Sequence, residues 1–250
     1  MMKKFEKIVA WLPHTGLYLP NVKESPDFAK LRQDALLLAD EQVDRLYSFL
    51  PNKITSDYSR FVVDLERYLD DSKEPMSTRG MGYLYNRLID GTHFDRTIFG
   101  DETYFTQYYK HKHTQLKESI ERIGNGAILL DLHSFNPVPL PCDIDKKPNR
   151  PDVCLGFNED DTKPEDSILA ALQEHFEDNG LKVAFNTPFS GAMTTNTHVK
   201  YKALMIEVNK RCYLQNHQLT KGLYQMSYLL REAILLLQPE QTRKRIYEWL

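Results

Sequence analysis

Residues Ile128-Leu129-Leu130-Asp131-Leu132-His133-Ser134 form an apolar run that turns polar at its far end, just after Gly124-Asn125-Gly126. A continuous apolar run opened by turn residues reads as a fully buried strand. Such strands belong to sheets covered on both faces, so helices must lie above and below. The polar residues then fall at the carboxyl end of the strand, where open α/β sheets bind ligands. His133 is the metal-ligand candidate of this stretch.

Other segments repeat the pattern. Ile8-Val9-Ala10-Trp11-Leu12 reads as a first buried strand and ends in Pro13-His14-Thr15-Gly16, with Gly16 permitting an unusual turn. Asp34 to Leu50 has helical spacing, with Asp40 and Asp44 on one face. Arg60-Phe61-Val62-Val63-Asp64-Leu65-Glu66-Arg67 is another apolar run that feeds charges. Asp70 to Thr103 and Asn136 to Pro151 are irregular, and loops this long are usually functional or disordered. Tyr104 to Ile123 reads as a helix. Val153 to Phe157, Leu181 to Phe185 and Ala203 to Asn209 read as strands. Thr162 to Asn179 reads as a helix capped by Thr162 and closed by Gly180, and two more helices follow, Thr220 to Leu237 and Pro239 to Leu250. Alternating strands and helices predict a three-layer α/β/α sandwich with a mixed, mostly parallel sheet. With no repeat or linker, one domain over 1–250 is the simpler reading.

Totals exclude several functions. A formal net charge of −3 over 250 residues gives no bulk attraction to nucleic acid or to an anionic membrane. No apolar run reaches membrane-spanning length. The three cysteines, Cys142, Cys154 and Cys212, form no disulfide framework, which fits a cytoplasmic protein.

Four strands, the 60–67 run among them, are expected to deliver polar side chains at one sheet edge: His14, Asp64/Glu66/Arg67, Asp131/His133 and Glu207. A hydrolytic zinc site needs about three nitrogen or oxygen ligands and a carboxylate base nearby. An arginine can hold an acidic substrate bidentately. Each residue also has a plainer reading. Either histidine can be a satisfied polar group, Asp40 and Asp44 a solvated helix face, Arg67 a partner of Asp64, and Glu207 half of a buried ion pair.

The chain resembles the N-formylglutamate amidohydrolase family. The resemblance rests on Leu12-Pro13-His14-Thr15-Gly16, on Ala39 to Tyr47 around Asp40, and on Tyr58 to Arg67. It continues through Leu130-Asp131-Leu132-His133-Ser134, Pro151 to Gly156, Pro188 to Thr194 and Leu204 to Tyr213, in family order. It implies a fold like that of the zinc carboxypeptidases and aspartoacylases, and one Zn2+. The metal ligands it implies are His14, His133 and an aspartate, Asp40 with Asp44 as the alternative, because Leu17 stands three residues after His14 where relatives carry a glutamate. It implies Glu207 as the base, Arg60 as a helper at the oxyanion, and Arg67, Thr194 and Arg211 as holders of the substrate carboxylate. Glu66 stands where relatives carry asparagine. The implied substrate is a small N-acyl amino acid such as N-formylglutamate. A peptide substrate and a non-catalytic binding relative are the alternatives.

Overall fold

The computed structural model describes residues 5–22 and 28–238. The helix expected at 239–250 lies outside them. Six strands form one sheet: β1 (Ile8–Leu12), β2 (Lys53–Thr55), β3 (Ala127–Phe135), β4 (Val153–Gly156), β5 (Val183–Phe185) and β6 (Tyr201–Asn209). Their spatial order is β2-β1-β3-β6-β4-β5. β2, β1, β3 and β6 run parallel, β4 is antiparallel to β6, and β5 follows β4 in parallel. The sheet is mixed and mostly parallel, as its apolar strands predict.

Every residue of β3 is buried, and alternation splits them between two cores. Ile128, Leu130 and Leu132 face a core shared with α2 (Val43–Leu46), α4 (Asp166–Asp178) and α5 (Gly222–Leu236). Ala127 and Leu129 face the opposite core, shared with α1 (Ala29–Leu38) and α3 (Glu102–Ile123). Helices therefore cover both faces, and Asp131 and His133 continue the α3 side.

The helix expected from Asp34 to Leu50 is two helices. Between α1 and α2 the backbone turns extended at Ala39 (ψ 149°) and left-handed at Gln42 (φ 60°). The amide of Asp40 donates to the carbonyl of His14 at 2.9 Å, which ties the break to the end of β1. Asp40 and Asp44 therefore do not share a helix face: Asp40 is buried and Asp44 exposed.

The 60–67 run is no strand. It begins as a turn, with the amide of Val62 donating to Ser59 at 2.8 Å, and its apolar side chains pack on the α3 side of the sheet. α4 starts later than Thr162 suggests, because Thr162 bonds Asp160 Oδ1 instead of capping. Gly16 is required for closeness and not for a positive φ: a Cβ there would lie 2.4 Å from the carbonyl of Tyr58. The loop after β1 can thus press against 57–59.

Leu130 lies fully buried in the first core. Leu130→Ala is expected to cost about 2–5 kcal/mol in urea unfolding. Tyr224→Ala, at a 78% exposed position, should cost within about 0.5 kcal/mol.

Candidate metal centre

Three parallel strands and two irregular segments build the site. β1 ends just before His14. β3 carries Asp131 and His133 on one face, two residues apart. β6 places Glu207 in register with His133. The interhelical break supplies Asp40, and the 59–67 segment supplies Arg60, Asp64, Glu66 and Arg67.

His14, Asp40 and His133 converge. His133 Nδ1 lies 3.0 Å from Asp40 Oδ2 and 3.2 Å from His14 Nδ1, and His14 Nδ1 lies 3.6 Å from Asp40 Oδ2. Ring centroids are 5.0 Å apart, so the rings turn their Nδ1 edges toward each other. The opposite nitrogens are engaged by carboxylates. His14 Nε2 meets Asp64 Oδ1 at 2.8 Å, and His133 Nε2 meets Asp131 Oδ1 at 2.7 Å. A neutral imidazole has one donor and one acceptor nitrogen. With both Nε2–H groups donated to carboxylates, two lone pairs and a carboxylate oxygen face one another with no proton between them.

That arrangement is repulsive unless a cation occupies it. Ligands about 2.0 Å from a tetrahedral ion stand about 3.3 Å apart, and these three bracket that spacing. Carboxylates behind metal-binding imidazoles are the usual means of fixing tautomer and ring orientation. The three residues thus form one of two donor groups among the described residues able to hold a metal ion. The other, Glu66, Asp131 and His133, uses the nitrogen already bonded to Asp131 and has Glu66 Oε2 at 3.5 Å, a looser fit.

The electrostatics agree on a demand for positive charge. Burial disfavours the His133 imidazolium, yet the charges of Asp131 and Glu66 raise its pKa well above the usual histidine value. Burial also resists ionisation of Asp40, but the adjacent His133 and His14 hold it below the usual carboxylate range. Asp64 is likewise held low, chiefly by Arg60, whose Nε and Nη2 donate to Oδ2 at 3.0 and 2.8 Å. Tyr85 donates to the same oxygen at 2.6 Å. Burial pushes Glu207 up to about 8, and its Oε2 is buried with no hydrogen-bond partner among the described residues.

A cavity of about 420 Å³ opens beside this centre. His14, Asp40, His133, Glu207, Arg60 and Arg67 all line it. Among the described residues, Arg67 Nε is buried without a hydrogen-bond partner, with Asp64 Oδ2 at 3.6 Å and Glu74 Oε1 at 4.0 Å as its ion-pair neighbours.

Two expected carboxylate holders are not in the wall. Arg211 is bound to Asp152 Oδ1 through Nε at 2.9 Å and Nη2 at 2.8 Å, outside the cavity. Thr194 is exposed and contributes nothing to the lining. Its neighbour Met193 instead donates its amide to Asp131 Oδ2 at 2.8 Å. Sequence reasoning misses Arg150, which is buried in the wall, bonded to Asp143 and 5.7 and 5.6 Å from the Phe135 and Phe189 ring centroids. No motif marks it. Nor does it assign a role to Asp131, although spacing of two from His133 on a strand is a readable signal.

Fold and cluster together define an α/β protein with a buried donor group of two histidines and one aspartate at the carboxyl ends of its strands. The chain belongs to the N-formylglutamate amidohydrolase family, whose model matches residues 7–214, and so to a family of hydrolases. It is similar in fold to the crystal structure of N-formylglutamate amidohydrolase from Ralstonia eutropha JMP134. That match has 18% identity and a TM-score of 0.73, and it covers 98% of this chain and 95% of the other. A gene product from Agrobacterium tumefaciens matches with 15% identity and a TM-score of 0.59, covering 96% of this chain and 92% of that one. No curated protein sequence matches significantly.

If the triangle holds a metal, zinc should raise the unfolding temperature and a chelator should reverse the gain. At about 100 times the Kd the stabilisation is about 2.7 kcal/mol. His133→Ala should abolish it, and Asp131→Asn should weaken zinc affinity by about 10–100-fold in a competition titration.

Proposed function

We propose that the chain is a metal-dependent amidohydrolase that cleaves the amide of a small N-formyl amino acid, the class to which N-formylglutamate belongs. The observation that carries this reading is the triangle of His14 Nδ1, Asp40 Oδ2 and His133 Nδ1, within 3.6 Å of one another and with a carboxylate behind each ring, in a chain of an amidohydrolase family. Two nitrogens and one oxygen suit zinc. When bound, such an ion supplies Lewis acidity that polarises a carbonyl and acidifies water.

The chain's own residues do the rest. Asp64 and Asp131 hold the two imidazoles with Nδ1 turned inward. Glu207 is the proton carrier. It takes a proton from the attacking water as the water oxygen bonds to the acyl carbon, then gives it to the amide nitrogen as the C–N bond breaks. Formate and a free amine leave. Burial favours the neutral carboxyl, whereas positive charge placed in the adjacent triangle favours the carboxylate that must accept the proton.

Arg60, fixed by Asp64, borders the reacting centre and stabilises charge on the acyl oxygen. Arg67 grips the substrate carboxylate with its guanidinium. A cavity of about 420 Å³ is of small-ligand size. No helix of the described residues is long and apolar enough to cross a membrane.

The test is formate release from N-formylglutamate by zinc-loaded protein. Glu207→Gln should lower kcat by about 10²–10⁴ with metal content unchanged. Arg67→Ala should act mainly on KM, because it removes a grip made before the bond breaks. Unchanged turnover in Glu207→Gln removes that residue from the mechanism.

A further inference from the structure

We propose that the cavity selects N-acyl amino acids whose side chain ends in an N–H donor, an amide or a cation, over those ending in a carboxylate, and that Glu66 makes the selection. This rests on the hydrolase reading and narrows its substrate.

Glu66 and Arg67 are consecutive, and both line the cavity. Glu66 Oε1 accepts the indole proton of Trp11 at 2.7 Å. Its Oε2 lies 3.5 Å from His133 Nε2, but that nitrogen gives its proton to Asp131 at 2.7 Å. Among the described residues no donor approaches Oε2 more closely than this nitrogen, whose shorter contact is with Asp131. A carboxylate offers about four lone-pair sites, and a charged acceptor at the edge of a cavity bonds a donor more strongly than a neutral one does. The missing donor is one a ligand can bring.

The cations argue the same way. Arg60 is drawn onto Asp64 through Nε and Nη2. Arg150 is turned through its terminal nitrogens to Asp143 Oδ2 and to the carbonyls of Asn136 and Asp145, and only its buried Nε lacks a partner among the described residues. Lys210 donates to the carbonyl of Leu37 at 2.9 Å. Arg67 is left to bind one carboxylate. A second ligand carboxylate would meet cations whose bonds, the Nε of Arg150 excepted, go to protein oxygens, and it would stand in the same cavity as the like charge of Glu66.

N-formyl-L-glutamine and N-formyl-L-glutamate form an isosteric pair that tests this. The zinc-loaded protein should favour the glutamine compound in kcat/KM by about tenfold or more, the size of one hydrogen bond to a charged group. Glu66→Gln should bring the ratio to about one or invert it. A general loss of metal would slow both substrates alike and leave the ratio standing. Both ratios should persist in about 1 M salt, where a Debye length of about 3 Å screens distant charges. Preference for the glutamate compound in the native protein, or an unchanged ratio in Glu66→Gln, overturns the proposal. Calorimetric binding of both compounds to the Glu207→Gln protein reads the same discrimination without turnover. Discrimination in binding with no hydrolysis by native protein would defeat the hydrolase reading alone, and equal binding would defeat this one.

Discussion

Two imidazoles pushed together by the carboxylates behind them are the constraint on which the rest of the structure depends. Asp64 fixes one ring and Asp131 the other, so each presents Nδ1 to the same small volume. Asp40 adds an oxygen to that volume. A buried cluster of acceptors is unstable without a compensating charge. Protonation of His133 supplies one such charge, consistent with its raised pKa. A divalent ion supplies more, and competes with the proton for the same lone pair. The side chains around the centre act as supports for that charge: Arg60 and Tyr85 hold Asp64, and the amide of Met193 holds Asp131.

The sheet explains how the supports come into register. β1, β3 and β6 are neighbours and parallel, so their carboxyl ends lie side by side. His133 and Glu207 are register partners across β3 and β6, which brings Glu207, the proton carrier of the proposed reaction, beside the two imidazoles without any loop to position it. The amino-terminal halves of the same strands bury apolar side chains on both faces. Packing and chemistry therefore divide the strands lengthwise, and a shift of one residue in β3 would turn His133 and Asp131 to the other face.

Much of this is legible in the amino-acid sequence. Continuous apolar runs mark β1, β3 and β6 because strands buried on both faces have no polar alternation to show. His14, His133 and Glu207 stand out because each interrupts or ends such a run. The break between α1 and α2 is not legible, since 34–50 contains neither proline nor glycine and keeps helical spacing. What bends it is a long-range bond from Asp40 to the carbonyl of His14. The 60–67 run looks like a strand because burial alone makes a segment apolar, and a turn covered by α3 is as buried as a strand. Arg211 looks like a cavity cation from its place after β6, but Asp152 captures it. Arg150 sits in a proline-rich stretch that carries no periodic signal, so only its contacts with Asp143, Phe135 and Phe189 reveal it.

The most direct test of the central claim is anomalous scattering at the zinc edge from crystals grown with the ion. The account predicts one peak within about 2.0–2.2 Å of His14 Nδ1, His133 Nδ1 and an Asp40 carboxylate oxygen, with Asp64 and Asp131 still on the Nε2 atoms. A peak on the Nε2 side of His133 between Asp131 and Glu66, or no peak between the two rings, would contradict it.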